Sequence, residues 1–302
     1  MRILLVGQAA FAADVLAGLL AAGDEVAALV CPPDKGERVD PVKAAALERG
    51  IPVHQFRSLK TPEARAAWES ARADLGVLAY VTQIVPAALI DVPRLGTICF
   101  HPSLLPRNRG GSAVGWQLIQ GAARTGVTVF WTDAGIDTGP ILLQREAAVG
   151  PDDTAGSLYY QTLYPLGVRT TLDAVALVRA GNPPRLPQDE SRATYEPLLS
   201  DAHAAIDWSK PRQAVHDLVR GCDPQPGAFT TWNGATLRLF DPRRVDATAE
   251  PGTVVALDAA GITVATAGGA IRCARARATG AKAPAEEVAR ALGITPGVRL
   301  GA

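Results

Sequence analysis

The first 150 residues alternate short apolar runs with longer amphipathic stretches, and this alternation constrains the fold most strongly. Arg2–Val6 and Glu25–Val30 are two such runs, and the amphipathic stretch Ala9–Ala22 lies between them. A strand that is apolar on both faces is typical of a parallel sheet covered by helices on both sides. Further short apolar runs are Leu75–Val81 and Gly96–Phe100. We therefore predict a Rossmann-like α/β domain whose ligands bind at the carboxyl ends of the strands.

Helix starts are marked by capping side chains followed by proline. Asp40-Pro41 and Thr61-Pro62 both have this pattern, and Gly50 is positioned to end the first of these helices. A capping oxygen satisfies a free backbone N–H, and proline at the first helical position costs no hydrogen bond. We predict that Asp40 and Thr61 cap two helices.

A proline-rich segment, Asn182–Pro187, separates two differently patterned regions. We predict a Rossmann-like domain over residues 1–187 and a second domain over residues 203–302. In the second domain, Ser209 is predicted to cap a helix over Pro211–Arg220, which Asp207-Trp208 opens, and Asn233-Gly234 predicts a hairpin. Several short strands after it indicate a small antiparallel OB-type barrel, although a small sandwich has the same pattern.

The balance of charge excludes general coating of nucleic acid. The chain has 302 residues, with 30 lysines and arginines against 30 aspartates and glutamates. No net field therefore attracts polyanions or an acidic membrane. The four cysteines are dispersed, so we predict a cytoplasmic protein, although Met1–Ala13 also resembles a signal peptide. The uncharged stretch Leu75–Ile90 is 16 residues long, short of the ~20 that a spanning helix needs, so we predict no membrane segment.

Common cofactor motifs are missing from the sequence. The first strand-to-helix turn, Gly7–Ala12, has one glycine where a dinucleotide site needs several, so we predict no NAD. No Walker-type phosphate loop is present, and no cysteine or histidine spacing suits zinc, so we predict no metal.

Two segments carry candidate chemistry. His101 follows the apolar run Gly96–Phe100 and precedes a turn rich in proline and glycine. A histidine at the carboxyl edge of a sheet can donate or accept a proton near neutral pH, but a hydrogen-bonded core histidine would look the same. Asp137 lies on a glycine-flanked turn after the predicted strand Gly126–Trp131. It is either a site carboxylate or part of a capped turn, and its single Asp-Thr-Gly copy in an α/β domain argues against an aspartic protease.

Together these segments resemble a known family. His101, Ser103, Leu104, Leu105 and Pro106, followed by Asp137-Thr138-Gly139, are similar to the folate-dependent formyltransferases. The resemblance covers nearly the whole chain. It is closest to the amino-terminal hydrolase domain of the 10-formyltetrahydrofolate dehydrogenases and extends to methionyl-tRNA formyltransferases. Further matching segments are Val6-Gly7-Gln8, Pro33-Asp34-Lys35, Asp40-Pro41, Gln83-Ile84-Val85-Pro86, Val129-Phe130-Trp131, Leu142-Leu143-Gln144, Pro184-Arg185-Leu186-Pro187-Gln188 and Ile206-Asp207-Trp208.

The resemblance implies that 10-formyltetrahydrofolate is the donor substrate and that water or an amine attacks its formyl carbon. His101 matches the family's catalytic histidine and Asp137 its essential aspartate. Two segments match folate-contacting positions of the family: Gln83, Ile84 and Val85, and Ser103, Leu104, Leu105 and Pro106. Neither a metal nor NAD is implied, and the folate is a small-molecule partner.

One departure from the family bears on the acceptor. Many members have asparagine where this chain has Cys99, and a thiol is a weak substitute for a carboxamide donor. This favours the hydrolase branch. From His203 onward the chain has 12 basic and 9 acidic residues, a net charge of +3 that gives weak support to tRNA binding. Arg107 and Arg109 either bind a folate tail or phosphate or are solvated.

The alternatives that remain are therefore initiator-tRNA formylation, N-formylation of a sugar nucleotide and a folate-binding module without turnover.

Overall fold

The computed structural model describes residues 1–34, 36 and 38–301. These residues form two compact units. The first unit comprises residues 1–111, 126–147 and 162–195, and the second comprises residues 112–125, 148–161 and 196–302. Lys35, which belongs to one of the matching segments, lies outside the described residues. The domain bounds 1–187 and 203–302 stay a prediction.

The described residues contain thirteen strands and nine α-helices. The strands are β1 Arg2–Gly7, β2 Glu25–Cys31, β3 Val53–Gln55, β4 Leu75–Ala79, β5 Thr97–His101, β6 Arg124–Trp131, β7 Ile141–Ala148, β8 Ala228–Trp232, β9 Ala235–Val245, β10 Val254–Asp258, β11 Gly261–Thr266, β12 Gly269–Arg277 and β13 Ala283–Pro284. The helices are α1 Ala9–Ala21, α2 Pro41–Leu47, α3 Pro62–Ala71, α4 Ala87–Ile90, α5 Ala113–Ile119, α6 Ala155–Leu158, α7 Tyr164–Ala180, α8 Arg212–Gly221 and α9 Ala285–Ala291.

The amino-terminal sheet has seven strands in the order β3-β2-β1-β4-β5-β6-β7. The first five strands in this order, β3, β2, β1, β4 and β5, pair in parallel, which confirms the Rossmann-like prediction. The sheet is not parallel throughout, because β6 runs antiparallel to β5. An apolar run shows burial but not direction, so the sequence did not indicate this reversal.

The two predicted helix caps of this unit are confirmed. The Asp40 carboxylate accepts the N–H of Val42 at 3.0 Å, and the Thr61 hydroxyl accepts the N–H of Ala64 at 3.2 Å. Each cap precedes a proline at the start of its helix. The Asp40 carboxylate has a second function, because both of its oxygens also accept the N–H of Ala9 at the start of α1, at 3.0 Å.

The apolar runs form the core of the first unit, as their pattern predicts. All but the first residue of β1 and every residue of β4 are buried. A cluster on one face of the sheet packs Leu4 and Val6 against Trp68 of α3. Buried strands of this kind fix the position of the residues at their carboxyl ends, and His101 is the last residue of β5.

The second unit contains an antiparallel sheet in the order β10-β11-β12-β9-β8, with β13 paired to β12. The hairpin between β8 and β9 is confirmed, since Asn233 and Gly234 both have positive φ angles of 48° and 78°. Positive φ at both central residues is what a two-residue hairpin of this type requires. The OB-type classification of this sheet stays a prediction.

The predicted start of helix α8 is wrong. Its first residue is Arg212 with Pro211 as the cap, and no side chain caps it. Ser209 instead donates its hydroxyl to the Asp207 carboxylate at 2.5 Å, a local turn that precedes the helix. Trp208 is buried in the core and donates to the Thr230 hydroxyl at 3.0 Å.

Within the part of the chain that the structure describes, no helix combines the length and apolar character needed to cross a bilayer.

Candidate active site

His101 is held by the loop that follows it. Its side chain is 7% exposed, and its Nε2 lies 2.8 Å from the carbonyl oxygen of Asn108. A carbonyl oxygen can only accept, so Nε2 must carry a proton. In the neutral ring the unprotonated nitrogen is therefore Nδ1.

Asp137 lies on a turn that is shaped by its own side chains. Asp133 accepts the N–H of Gly135 at 3.0 Å and the hydroxyl of Thr138 at 2.6 Å. Asp137 has a φ of 56°, a conformation that aspartate tolerates better than most residues. At Gly139 a Cβ atom would lie 1.7 Å from the carbonyl oxygen of Trp131, so the turn requires glycine there. The turn therefore holds the Asp137 carboxylate in a fixed place.

The structure brings these two side chains together. His101 Nδ1 lies 3.5 Å from Asp137 Oδ2. The same carboxylate oxygen accepts the N–H of Gly110 at 2.8 Å. The Asp137 side chain is 16% exposed, so the pair can be reached from solvent. A ring nitrogen that can gain a proton and a neighbouring carboxylate can together perform acid–base chemistry.

The loop residues Ser103, Leu104, Leu105 and Pro106 follow His101 directly. Ser103 is fully buried and donates to the carbonyl of Arg107 at 2.7 Å, and Leu105 is 3% exposed. Leu104 is half-buried. The peptide between Leu105 and Pro106 is cis. Because Ser103 and Leu105 are buried, their side chains shape the loop. The predicted contact of Ser103, Leu104, Leu105 and Pro106 with folate stays a prediction.

The loop is supported from the neighbouring strands. Gln144 of β7 donates to the carbonyl of Leu105 at 3.0 Å and to the Thr128 hydroxyl at 2.8 Å. Thr128 in turn donates to the carbonyl of Ser103 at 2.7 Å. These bonds fix the path of the chain from His101 to Pro106.

Gln83, Ile84 and Val85 lie in the loop after β4. The Gln83 amide donates to the carbonyl of Phe56 at 3.1 Å, and Ile84 is 70% exposed. Gln83 also lines a small cleft at the carboxyl ends of β1, β2 and β4, together with Gln8 and Thr82. Their assignment as folate contacts stays a prediction.

Cys99 lies on β5, two residues before His101. Burial and the nearby Asp137 carboxylate raise its pKa well above that of an ordinary thiol. A thiol with a raised pKa is protonated at neutral pH and is a poor nucleophile.

Several residues that position the pair were not predicted from the sequence. They are Asn108 and Gly110, whose backbone groups bond to His101 and Asp137, and Gln188, which donates to two carbonyls of the Asp137 turn. Arg109 is not solvated, because it pairs with Glu190 at 2.7 Å. Arg107 is exposed. Two signals were available: the Gly110-Gly111 pair, which indicates a tight backbone approach, and the family-matching segment that ends at Gln188.

Fold and site together define a class: a Rossmann-like protein with a histidine and an aspartate paired at the carboxyl edge of its parallel strands, followed by an antiparallel sheet. Residues 1–166 match the family model described as Formyl transferase, and residues 198–293 match that of the Formyl transferase C-terminal domain. The chain belongs to the formyl transferase family.

Relatives in two branches are similar to this chain. A cytosolic 10-formyltetrahydrofolate dehydrogenase from Xenopus tropicalis is 41% identical over 245 residues, which cover 80% of this chain and 27% of the relative. The chain thus spans about a quarter of the dehydrogenases that it matches. A methionyl-tRNA formyltransferase from Geobacter metallireducens is 36% identical over 308 residues, covering 100% of this chain and 99% of the relative.

A solved structure shares the fold. The crystal structure of HypX from Aquifex aeolicus in complex with tetrahydrofolic acid has a TM-score of 0.73 and 20% identity, and covers 97% of this chain and 48% of HypX.

Proposed function

We propose that this chain removes the formyl group of 10-formyltetrahydrofolate, by hydrolysis or transfer, and releases tetrahydrofolate. The observation that carries the proposal is the 3.5 Å approach of His101 Nδ1 to Asp137 Oδ2 at the carboxyl edge of the sheet. Membership of the formyl transferase family supports the donor.

The two side chains divide the chemistry. Attack on the formyl carbon places negative charge on the formyl oxygen and leaves a proton to be removed from the nucleophile. In the proposal, His101 as imidazolium stabilises this oxyanion and protonates the departing N10 of the folate, through Nδ1, since Nε2 is bonded to Asn108. Asp137 orients the nucleophile or accepts its proton. Each such group contributes about 10² to 10⁴ in rate.

Water is the acceptor that we favour. The carboxamide donor that many family members have at the position of Cys99 is missing, and one such donor is worth about 10² to 10³ in turnover. The similarity to the 10-formyltetrahydrofolate dehydrogenases supports the same choice.

The start of α1 supports a small neutral acceptor over a phosphorylated one. In a Rossmann-like domain the first helix N-terminus commonly binds a phosphate. Here both Asp40 oxygens accept the N–H of Ala9 at 3.0 Å, so this amide already faces a negative charge. A phosphate placed there would be repelled, which counts against a sugar nucleotide bound in that way.

Initiator-tRNA formylation is the second candidate. It is supported by the full-length similarity to a methionyl-tRNA formyltransferase. The modest charge of residues 203–302 counts against it.

The experiment that tests the proposal measures tetrahydrofolate release from 10-formyltetrahydrofolate. The purified chain is given the donor alone, the donor with charged initiator tRNA, or the donor with a nucleotide-linked amino sugar. Release from the donor alone supports the hydrolase, and release that requires one acceptor assigns that acceptor instead. Tight binding without release in all three reactions would contradict the enzyme proposal and indicate a folate-binding module.

A further inference from the structure

The chain between the two predicted domains begins at Gln188, and this residue contacts the Asp137 turn. Gln188 Nε2 donates to the carbonyl of Asp137 at 2.8 Å and to the carbonyl of Gly139 at 2.7 Å. One side-chain amide therefore holds both ends of the Asp-Thr-Gly turn.

Gln188 is itself held by Arg109. Arg109 Nη2 donates to Gln188 Oε1 at 2.8 Å, and the same guanidinium forms two bonds with Glu190, at 2.9 and 2.7 Å. The Arg109 side chain is 8% exposed. A two-bond pair between a guanidinium and a carboxylate has a defined geometry as well as strength. We call Arg109, Gln188 and Glu190 the clamp.

The backbone on each side of Arg109 contacts the proposed acid–base pair. The carbonyl of Asn108 accepts His101 Nε2–H, and the N–H of Gly110 donates to Asp137. The 188–194 segment also fixes this backbone directly, because Thr194 accepts the N–H of Asn108 at 2.8 Å through its hydroxyl and that of Arg109 at 3.0 Å through its carbonyl. The loop that touches His101 and the turn that bears Asp137 are thus bonded to one segment.

We propose that Arg109 and Gln188 are positioning residues that set the distance and orientation between His101 and Asp137. This inference rests on the proposed function of that pair. It also implies that Arg109 does not bind a folate tail or a phosphate, since its guanidinium is engaged by the clamp. A misplacement of about 1 Å in reacting groups can lower a rate by about 10².

The test replaces clamp residues and reads both the reaction and the histidine. Gln188→Leu removes the donors and the acceptor, whereas Gln188→Glu keeps an acceptor for Arg109 but loses the donors to the two carbonyls. Arg109→Lys keeps the charge without the fork. Asp189→Asn is the matched control, because Asp189 neighbours Gln188 and, among the described residues, the hydrogen bonds of its side chain are with Ser191 in its own turn.

We expect both Gln188 variants to lower kcat about 10-fold to 100-fold while KM for the folate stays within about threefold of wild type, because ground-state binding is unaffected. The pH profile of kcat should shift in both Gln188 variants. The kcat of Arg109→Lys should lie between theirs and that of wild type, and the kcat of Asp189→Asn should match wild type. Variants that keep the wild-type kcat and pH profile would overturn the inference.

A second readout does not depend on activity. Long-range ¹H–¹⁵N spectra of the His101 ring should show protonated Nε2 in the wild-type protein and a mixture of tautomers in Gln188→Leu and Gln188→Glu. If wild type releases no tetrahydrofolate, the proposed function fails, but these spectra still decide the clamp: unchanged ring signals in both folded Gln188 variants would overturn it. Arg109→Lys serves where a Gln188 variant does not fold.

Discussion

His101 and Asp137 are each held by a hydrogen bond to a backbone group. The imidazole has one nitrogen committed to a backbone carbonyl and the other directed at a carboxylate, which itself accepts a backbone N–H. Backbone partners cannot change rotamer, so the geometry of the pair exists before any substrate binds. Preorganised groups of this kind are the usual source of large rate effects.

Cys99 is expected to be chemically inert. The pKa of its thiol is raised by burial and by Asp137, and burial also raises the pKa of Cys31 to about 11 and of Cys222 to about 12. We predict that iodoacetamide at pH 7.5 leaves the folded protein unmodified but alkylates all four cysteines in guanidinium chloride. Mass spectrometry counts the modified thiols. Rapid alkylation of Cys99 in the folded chain would contradict this account.

Asp241 gives a pH-dependent prediction. Burial first, and then the charge of Asp223, raise the pKa of its carboxyl above the ordinary value. The folded protein therefore disfavours the ionised form, so Asp241 lowers stability increasingly as pH rises above the usual aspartate range. Asp241→Asn tolerates the observed φ of 52°. We expect the variant to be more stable at pH 7, by less than about 1 kcal/mol because the residue is partly solvated.

Urea unfolding at pH 7 and pH 4 checks this prediction. The difference between Asp241→Asn and wild type should shrink as pH falls. A variant that is less stable at pH 7, or a difference that grows towards pH 4, would contradict the assigned direction.

The sequence predicts the two proposed acid–base residues of the site but not the residues that hold them in place. His101 and Asp137 were found because each lies in a short motif with a recognisable neighbour. Gln188 lies in a family-matching segment, but its contacts were not predicted, because it bonds to carbonyls 49 and 51 positions away and such a bond leaves no mark on the partner's residue type. Arg109 carried a charge but no sign of where its carboxylate partner lay.

Among the helices, α1 and α2 share one cap. Asp40 accepts from Val42 at the start of α2 and from Ala9 at the start of α1. Such a carboxylate offsets the partial positive charge of two helix ends with one side chain.

Loss of this cap should cost more than loss of an ordinary one. Thr61→Ala removes a single capping bond at α3 and should destabilise the protein by about 0.5–2 kcal/mol. Asp40→Ala removes bonds to two helix starts and should cost more than Thr61→Ala in the same urea unfolding measurement. An equal or smaller loss for Asp40→Ala would show that the bond to Ala9 contributes no stability.

Strands and caps were predictable where the pattern was local. A few consecutive residues are enough to recognise the apolar runs of β1 and β2 and the cap-proline pairs of α2 and α3. The three-residue strand β3 is too short to show a period, and Ser209 illustrates a capping residue that bonded to its nearer neighbour Asp207 instead. Local competition between polar side chains decides such cases.

For the whole molecule, the alternation of apolar runs predicts the Rossmann-like sheet but not the reversal of β6. Strand direction depends on where the connecting chain returns, and the 102–123 connection contains both the loop after His101 and α5. The chain spans about a quarter of its dehydrogenase relatives and nearly all of a methionyl-tRNA formyltransferase, so the family alone does not choose the acceptor.

The central claim is that His101 and Asp137 together release the formyl group, and the rate of tetrahydrofolate release tests it most directly. Asp137→Asn keeps the positive φ and an acceptor for Gly110, so it removes the charge with little change in shape. Asp133→Asn, in the same turn, is its control, because an asparagine Oδ1 can still accept the bonds from Gly135 and Thr138 that shape the turn. We predict that His101→Ala and Asp137→Asn lower the rate by about 10² to 10⁴ while Asp133→Asn retains the wild-type rate. Rates within about twofold of wild type for both His101→Ala and Asp137→Asn would contradict the claim.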